Sequence, residues 1–266
     1  MSRIAPFNPQ RFTSAIPHYV AGRPPYSMRL VGRLARETGL GEASRTLDLG
    51  CGPGSLTLSL AHFSGTTIGI DPDPAMIAAA QQAAEVAGLS IEWSVGSSLD
   101  LSDELAPLDL VAIGRAFHWM DRDATLLRLD ELVRPGGAVA LVNTELHPLG
   151  RHTWHAAFEE LRKAHGRFDD FYRWRKSAGW EEHLSVLVRS VFCDVERISV
   201  YEAREASLDE IVARAFSFSA NSPASLGEEG RTAYEAAVRQ TMTALEPSGR
   251  FPEIVETAAM IARRAR

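Results

Sequence analysis

Residues 45–55 read Arg-Thr-Leu-Asp-Leu-Gly-Cys-Gly-Pro-Gly-Ser, a short apolar run followed by glycines at alternate positions, Gly50, Gly52 and Gly54. The run Thr46–Leu49 has the length and composition of a buried strand, and the residues after the glycines can begin a helix. A strand-to-helix turn this rich in glycine lets the backbone approach a ligand that a side chain would keep away. In α/β sheets such a turn lies at the carboxyl end of a strand, where nucleotides bind. The stretch therefore predicts a nucleotide-type site.

The composition is that of one globular α/β domain. The chain has 266 residues, of which 45% are hydrophobic, and carries a net charge of −6. Nucleic-acid surfaces are usually basic, so this balance does not indicate one. Two cysteines, Cys51 and Cys193, give no disulfide framework or Cys-rich metal cluster. Neither a signal peptide nor a membrane helix is predicted. We expect a cytoplasmic protein, monomer or homodimer, with no metal, nucleic acid or membrane as partner.

Predicted strands and helices alternate along the chain, which indicates a parallel sheet covered on both faces. The predicted strands are Thr46–Leu49, Thr66–Ile70, Ile91–Val95, Leu108–Ile113, Ala138–Val142, Val195–Tyr201 and Ile254–Ile261. The predicted helices are Ser27–Thr38, Ser55–Ala61, Ala75–Ala87, Ala124–Val133, 151–166, Leu208–Ser219 and Gly227–Leu245.

Two ligands compete for the glycine turn. A dinucleotide fingerprint needs Gly-x-Gly-x-x-Gly and an acid about 20 residues later. Asp71 fits the acid, but Ser55 stands where the third glycine belongs, and Gly54 lies one residue early. Asp48, two residues before the first glycine, is not part of that fingerprint. An NAD(P)-dependent oxidoreductase is therefore an alternative and not the leading hypothesis.

The chain resembles the class I S-adenosylmethionine-dependent methyltransferases. Leu47–Gly54 is similar to their first motif, Gly69–Met76 to the segment ending their second strand, and Leu132–Gly137 to the turn before their fifth. Tyr19–Tyr26 and Ala116–Trp119 resemble the small-molecule branch that includes trans-aconitate methyltransferase-like (type 11) enzymes. The resemblance implies a Rossmann-like three-layer sandwich with a mostly parallel seven-stranded sheet, an N-terminal helical segment, and a helical, aromatic insert after the fifth strand.

The resemblance also implies one methyltransferase domain over residues 1–266 with four parts. We expect an N-terminal cap over 1–44 and a cofactor-binding core over 45–143. A substrate-pocket insert over 144–222 would follow, with a C-terminal helix and the last strand over 223–266.

S-adenosylmethionine presents an amino acid group, a sulfonium, a ribose diol and an adenine, and the predicted residues suit these groups. Glycines let the main chain pass close to it, Asp48 can accept from the ammonium, and Asp71 can accept from both ribose hydroxyls. The predicted cofactor-binding residues are Tyr19, Arg23, Asp48, Gly50, Cys51, Gly52, Gly54, Asp71, Pro72, Met76, Ser97, Ser98, Leu99, Arg115 and Ala116.

Several of these roles have an alternative. Pro72 and Met76 either cover the adenine or pack in the core. Ser97 stands where the family often has an acid, so the Ser98 backbone N–H is the favoured adenine contact. Arg23 either pairs with the cofactor carboxylate or holds a turn. Arg115 replaces the glutamine that the branch often shows, and contacts either the cofactor or the acceptor.

His118 is the candidate catalytic residue. A histidine can take a proton from a hydroxyl or amine during attack on the methyl group. The alternative is that His118 and Trp119 close the cofactor site and position the backbone, because an aligned donor needs little help from a base. The predicted substrate residues are His118, Trp119, Asn143, Glu145, Trp154, Tyr172 and Trp174. The histidines His147, His152 and His155 lack the spacing of a metal site.

The leading hypothesis is an enzyme that transfers a methyl group from S-adenosylmethionine to an O or N atom of a small molecule, in secondary metabolism. A non-catalytic protein that binds the cofactor is a second alternative beside the oxidoreductase. A macromolecule methyltransferase is disfavoured by the acidic charge. It is also disfavoured because the turn after the fourth strand lacks the Asn/Asp-Pro-Pro-aromatic motif.

Overall fold

A computed structural model describes residues 9–147, 154–168 and 170–265 of the chain. The described residues form one sheet in the order β3-β2-β1-β4-β5-β7-β6. Its strands are β1 Arg45–Leu49, β2 Thr66–Asp71, β3 Glu92–Val95, β4 Leu108–Gly114, β5 Val133–Leu146, β6 Asp194–Ser207 and β7 Arg250–Arg263. Strands β1 to β5 pair in parallel, and β7 runs antiparallel to both β5 and β6. This confirms the predicted seven-stranded, mostly parallel sheet.

The α-helices are α1 Ile16–Gly22, α2 Met28–Thr38, α3 Ser55–Leu60, α4 Pro74–Ala87, α5 Arg122–Leu132, α6 His155–His165, α7 Asp170–Arg175, α8 His183–Val188, α9 Leu208–Phe216 and α10 Pro223–Leu245. Two short 3-10 segments matter for the site, Pro9–Ala15 and Phe117–Trp119. In the part of the chain that the structure describes, no helix is both long enough and apolar enough to cross a membrane. The predicted helix over 151–166 begins outside the described residues, as does His152.

The last three strands are longer than their apolar runs predict. β5 extends from Val133 to Leu146, and β6 and β7 pair from Asp194 opposite Arg263 to Ser207 opposite Arg250. A continuous apolar run marks only the part of a strand that is buried on both faces. Pairing continues beyond it, where polar side chains face solvent. β6 lies within the range 144–222 that the sequence predicts as an insert, yet it is the edge strand of the main sheet.

Side chains alternate between two hydrophobic clusters, one on each face of the sheet. In β4, Val111 and Ile113 join the cluster formed with α5 and α8, whereas Leu110 and Ala112 join the cluster formed with α2 and α3. The central strands are therefore apolar on both faces, as expected for parallel strands covered by helices. The three predicted layers are present.

A third hydrophobic cluster fills the space between α6, α9, α10 and the start of β7. Trp154 lies there fully buried against Phe158 and Phe251, with ring centroids 5.9 and 5.6 Å away. Its Nε1 donates to the Pro252 carbonyl at 3.3 Å. The prediction of Trp154 as a substrate residue is corrected by this position, because the indole packs inside the core.

The sheet reverses its order between β1 and β4. β2 and β3 follow β1 on one side, while β4 and β5 extend on the other. The carboxyl ends of β1 and β4 therefore diverge and leave a crevice between the loops that follow them, the usual ligand position in open α/β sheets. Gly50 and Gly114 mark the two sides of this crevice.

Candidate active site

The three glycines after β1 all have a positive φ, +74° at Gly50, +55° at Gly52 and +82° at Gly54, which favours glycine. A Cβ at Gly50 would lie 2.5 Å from the Cβ of Ala116, so this glycine and Ala116 permit the loops after β1 and β4 to touch. At Gly52 the nearest atom would be the Met76 sulfur at 4.0 Å. The backbone at Gly52 thus leaves room for a ligand, while Gly50 serves packing.

Asp48 is buried beneath this turn with half of its carboxylate satisfied. Thr57 Oγ1 donates to Oδ2 at 2.6 Å, and Oδ1 is buried with no hydrogen-bond partner among the described residues. Burial raises the pKa of Asp48 to about 7, although the Thr57 hydrogen bond opposes the shift. A buried acceptor without a donor is costly. The carboxylate therefore fits a ligand that brings a positive donor.

Asp71 ends β2 and ties the glycine turn to the start of α4. Its Oδ2 accepts from the Gly52 N–H at 2.9 Å and its Oδ1 accepts from the Asp73 N–H at 3.0 Å. Burial raises the pKa of Asp71, and these two backbone donors lower it in part. Each oxygen keeps a second lone pair. The carboxylate of Asp71 is thus fixed in place by the chain itself, with lone pairs left for further donors.

Arg115 follows β4 with a φ of +58°, unusual for a residue with a side chain. Its guanidinium lies 5.2 Å from the ring centroid of Tyr19 and 5.0 Å from that of Tyr26, and Nε donates to the Tyr26 hydroxyl at 3.2 Å. Nη1 is buried with no hydrogen-bond partner among the described residues. The two tyrosines thus hold a cation whose remaining donor is available to a carboxylate.

Asp48 and Arg115 line the same cavity, whose volume is about 30 Å³. Tyr19, Tyr26 and the glycine turn complete its walls. Sites for molecules of cofactor size measure about 300–1,000 Å³, so side chains must move to admit S-adenosylmethionine. The chemistry of the lining nonetheless fits its amino acid group, with one acceptor for the ammonium and one donor for the carboxylate.

Residues 9–22, which we call the lid, cover this crevice. Thr13 Oγ1 donates to Asp73 Oδ2 at 2.6 Å, and Phe12 packs edge-on against Trp119 with ring centroids 5.5 Å apart. At the other end the Gly22 carbonyl accepts from Arg214 Nε at 2.8 Å. The lid thus contacts both the cofactor side and the His118 side of the crevice.

Arg23 does not line the cavity. Its guanidinium lies 4.0 Å from the ring centroid of Phe218, Nη2 donates to the Ser217 carbonyl at 3.4 Å, and Nε is buried with no partner among the described residues. Burial and the neighbouring Arg115 lower the pKa of Arg23 to about 10. The geometry favours Arg115 over Arg23 for the cofactor carboxylate.

The predicted adenine edge lies in the loop after β3. Ser97 donates from both N and Oγ to Asp100 Oδ2, at 3.0 and 2.6 Å, so its side chain is engaged within the loop. Ser98 is buried, whereas Leu99 is 71% exposed. Met76 is buried and Pro72 is half-buried. Cys51 is buried in the turn, which raises the pKa of its thiol and is consistent with a packing role.

His118 lies in the 3-10 turn after β4, against the ring of His183. The two imidazoles are almost parallel, 11° apart, with centroids 6.2 Å apart. Burial lowers the pKa of His118 well below its usual value, and the charges of Arg175, His183 and Arg122 add to the effect. His118 is therefore neutral in the physiological range. It can accept a hydrogen bond, but its protonated form is strongly disfavoured.

Aromatic contacts connect the predicted insert to His118. Trp174 packs edge-on against Trp180 at 5.0 Å, and Trp180 packs against His183 at 5.7 Å. Tyr172 packs against Phe168 with centroids 4.3 Å apart. Trp174 is thus connected to His118 through successive ring contacts with Trp180 and His183.

Asn143 and Glu145 are exposed on the extended end of β5, and Asn143 Nδ2 donates to Glu145 Oε2 at 3.2 Å. Neither residue lines the cavity between Asp48 and Arg115. Sequence reasoning did not select Tyr26, Thr57, Arg122, Arg175 or His183. Tyr26 lies in the stretch 19–26 that carries the family resemblance. The others follow no motif, because only the fold brings them to the site.

The chain is similar to known methyltransferases. Residues 46–137 match a family described as a methyltransferase domain. An uncharacterized methyltransferase of Mycobacterium bovis is 30% identical over 214 residues, covering 77% of this chain and 76% of that protein. The trans-aconitate 2-methyltransferase of Delftia acidovorans is 35% identical over 116 residues, covering 42% of each protein. The chain therefore spans less than half the length of that enzyme.

A solved structure from Anaeromyxobacter dehalogenans, assigned as a type II methyltransferase, covers 91% of this chain and 97% of its own length, with a TM-score of 0.60 and 21% identity. This likeness shows the fold. Together with the relatives, it establishes that the chain belongs to the class I S-adenosylmethionine-dependent methyltransferases, and its cofactor is S-adenosylmethionine. The predicted dinucleotide alternative is thereby set aside.

Proposed function

We propose that the chain transfers the methyl group of S-adenosylmethionine to an O or N atom of a small-molecule acceptor. One observation carries the proposal: Asp48 and Arg115 line the same cavity, and each has one buried polar atom without a partner among the described residues. The two atoms are an acceptor and a donor, which complement the ammonium and the carboxylate of the cofactor.

When bound, the cofactor supplies a methyl group on a positively charged sulfur. Asp48 holds the ammonium, Arg115 the carboxylate and Asp71 the ribose hydroxyls, so the chain fixes the direction in which the methyl group points. The acceptor's lone pair forms the new bond to the methyl carbon while the carbon–sulfur bond breaks and its electron pair stays on sulfur. A proton bound to the acceptor atom then passes to water, while the neutral His118 accepts a hydrogen bond from the acceptor.

The lid and the aromatic insert are proposed to exclude water from this reaction. Phe12 and Trp119 close one side, and Trp174 and Tyr172 belong to the insert on the other. A site that excludes water strengthens the interactions that orient the donor and the acceptor. We further propose the four-part domain organisation given above, with β6 assigned to the main sheet and not to the insert. We also propose a cytoplasmic monomer or homodimer and an acceptor from secondary metabolism.

Calorimetry tests the cofactor site. We expect S-adenosylmethionine and S-adenosylhomocysteine to bind in the micromolar range, and NAD not to bind. Asp71→Ala weakens this binding by about 1.5–3 kcal/mol, the scale of a charged hydrogen bond. Asp103→Ala is the matched control, because Asp103 is exposed and pairs with Arg128 away from the crevice. Binding of NAD alone, or an unchanged affinity in Asp71→Ala, contradicts the proposed site.

Mass spectrometry tests the transfer. The protein is incubated with methyl-labelled cofactor and a metabolite extract, and labelled products are sought. A labelled small molecule supports the enzyme. Cofactor binding with no labelled product in any extract supports instead the alternative of a non-catalytic binding protein.

A further inference from the structure

The strand β6, at one edge of the sheet, has a free side. It pairs with β7 from Asp194 to Ser207 without a break in register, and no strand in the described part of the chain lies beyond it. Half of the residues of an edge strand direct their N–H and carbonyl groups away from the sheet. Residues 194–206 form no other backbone-to-backbone hydrogen bond among the described residues. β6 therefore offers a long row of hydrogen-bonding groups to an added strand.

The strand at the opposite edge of the sheet is much shorter. β3, which forms that edge, has 4 residues, whereas β6 has 14. β6 also contains no proline, no lysine and no bulge, three features by which natural proteins commonly protect an exposed edge. A strand of this length and regularity is suited to pairing with a strand of another chain.

The charges of β6 complement those of a second β6. When two copies pair in antiparallel fashion with Val200 opposite itself, Glu196 of each copy faces Arg204 of the other. In this register no two like charges lie directly opposite each other. Opposite charges across a strand pair stabilise it, and like charges destabilise it. The sequence of β6 is thus compatible with self-pairing.

Neighbouring registers limit where a two-fold axis can lie. Centring the pair on Ser199 sets Glu196 against Glu202, and centring it on Glu202 sets that carboxylate against itself. Centring it on Tyr201, like centring it on Val200, avoids every like-charge pair. The axis of a self-paired β6 therefore lies at Val200 or Tyr201.

Arginines of α2 line a groove beside β6. The groove has a volume of about 560 Å³, and its walls are residues 199–201 of β6 and the α2 residues Arg29, Arg33 and Arg36. All three arginines are exposed. Arg29 reaches Glu202 of the same chain at 3.9 Å, so its side chain extends toward the edge of the sheet. The α2 side of the groove thus presents positive charge beside the free side of β6.

The ion pairs that these arginines form within the chain are long and exposed. Arg29 lies 3.9 Å from Glu202, and Arg33 lies 3.8 Å from Glu37 on its own helix. Arg36 forms no ion pair with a carboxylate that the structure describes. Exposed pairs of this kind contribute little to stability. The three guanidinium groups can therefore bind further carboxylates brought to the groove.

A second β6 brings carboxylates to this groove. Side chains alternate between the two faces of a strand, and Ile198 and Val200 pack in the cluster shared with α2. Glu196 and Glu202 lie at alternate positions with them and so belong to the same face. Because paired strands lie about 5 Å apart, these two carboxylates of an added copy come beside the α2 arginines. The charge of the groove thus favours the chain itself as its partner.

We propose that two copies of the chain associate through β6, paired in antiparallel fashion about a two-fold axis at Val200 or Tyr201. The two sheets then form one continuous sheet across the dimer, and the α2 arginines of each copy bind Glu196 and Glu202 of the other. Such an interface uses the same surface on both copies and closes at two chains. The inference is independent of the proposed methyl transfer.

The mass of the protein in solution is the first test. Light scattering coupled to gel filtration, at several micromolar concentrations, is expected to give twice the chain mass of 29.1 kDa. A mass of one chain at every concentration overturns the proposal and leaves this edge to a strand of a different protein. A mass above two chains also contradicts it, because the two-fold pairing closes.

Cross-linking locates the interface. In a Cys193→Ser background, in which the buried Cys51 is the remaining thiol, Val200→Cys and Tyr201→Cys are oxidised separately. We expect one of the two to form a disulfide-linked dimer, because residues at the axis face themselves at about 5 Å between Cβ atoms. Ala203→Cys is the control on the same strand, since its two copies lie about 13–20 Å apart in either register.

Thermal unfolding verifies that each cysteine variant is folded before oxidation. A dimer of the wild type in which neither Val200→Cys nor Tyr201→Cys cross-links overturns the assignment to β6. Equal cross-linking of Ala203→Cys contradicts the antiparallel register.

Reversal of one charge tests the contact between α2 and the second copy. Arg33→Glu is expected to raise the dissociation constant of the dimer about tenfold or more, because like charges then meet in the groove. Arg231→Glu is the matched control, exposed on α10 and outside the groove, and leaves the constant unchanged. Sedimentation equilibrium measures both. A dissociation constant that is the same in Arg33→Glu and the wild type contradicts the proposed contact.

Discussion

Asp48 carries its carboxyl group into a buried environment in which one oxygen meets the Thr57 hydroxyl and the other meets no described donor. Burial raises the pKa of Asp48 to about 7, so its carboxyl group is half protonated near neutral pH when no cofactor is bound. In the proposed complex, only the ionised form of Asp48 pairs with the ammonium of S-adenosylmethionine. Cofactor binding and ionisation of Asp48 are therefore linked.

We predict that the dissociation constant of the cofactor rises as pH falls below about 7, approaching tenfold per pH unit. Calorimetry between pH 5.5 and 8.5 measures this dependence. In Asp48→Asn the affinity is lower and its change over this range is lost. A wild-type affinity that is constant from pH 5.5 to 8.5 contradicts the role of Asp48.

The raised pKa of Asp48 also determines how the stability of the protein depends on pH. A folded-state pKa above the ordinary value of 3.8 means that the folded, cofactor-free protein holds this proton more tightly than the unfolded chain. The contribution of Asp48 to stability is thus present at low pH and lost as pH rises through about 7. The cofactor's ammonium offsets this loss, so the rise in Tm caused by the cofactor is greater at pH 8 than at pH 6.

His118 is neutral across the physiological range because burial and the nearby arginines keep its pKa well below 6.5. Such a histidine is a weak base, which favours a positioning role. We predict that His118→Gln, which keeps a hydrogen-bonding group, retains the transfer rate within about tenfold. The rate shows no inflection near pH 6.5 from this residue. A loss of about 10²-fold or more in both His118→Gln and His118→Ala contradicts this prediction and supports a base.

At the scale of elements, the lid depends on one close backbone contact between α1 and α9. A Cβ at Gly22 would lie 2.1 Å from the backbone nitrogen of Arg214, closer than any two such atoms can approach. The contact is fixed by the hydrogen bond from Arg214 to the Gly22 carbonyl and by the buried pair of Arg214 with Glu253. Even one methyl group at this position therefore moves the lid.

We predict that Gly22→Ala weakens cofactor binding about tenfold or more and increases proteolytic cleavage within residues 9–22, because overpacking of this size costs about 1–3 kcal/mol. Gly41→Ala is the control, since a Cβ at Gly41 meets no atom within 4 Å. Calorimetry and limited proteolysis, with thermal unfolding to verify the fold, make the comparison. Equal affinity in both variants shows that the lid does not contribute to binding.

The elements also show where sequence patterns reach their limit. The apolar runs locate all seven strands. The central strands are buried on both faces and leave a continuous signal, whereas the edge strands β3 and β6 are largely exposed and leave a weaker one. The ends of β6 and β7 lie beyond those runs, where only backbone pairing continues the strand. Trp154 illustrates the same limit for side chains. From the sequence, an aromatic residue in an insert is compatible with a ligand contact and with a core position. The contact of Trp154 with Phe251 of β7 shows that it belongs to the core.

At the scale of the whole molecule, motif residues near one strand end were predictable and long-range neighbours were not. Asp48, Gly52 and Asp71 converge because they end adjacent parallel strands, a placement that follows from the motif and the fold class. The pairing of His118 with His183 joins positions far apart in the chain. No periodicity or motif encodes such a meeting, since it depends on how α8 packs against one face of the sheet.

The small volume of the cavity bears on how fast the cofactor enters and the product leaves. The cavity beside Asp48 measures only about 30 Å³. Its lining must therefore move before the cofactor can bind. We expect S-adenosylhomocysteine to leave by the same movement that admits S-adenosylmethionine. Contacts remote from the methyl group, such as Thr13 with Asp73, are then expected to slow release of the product and so to limit turnover.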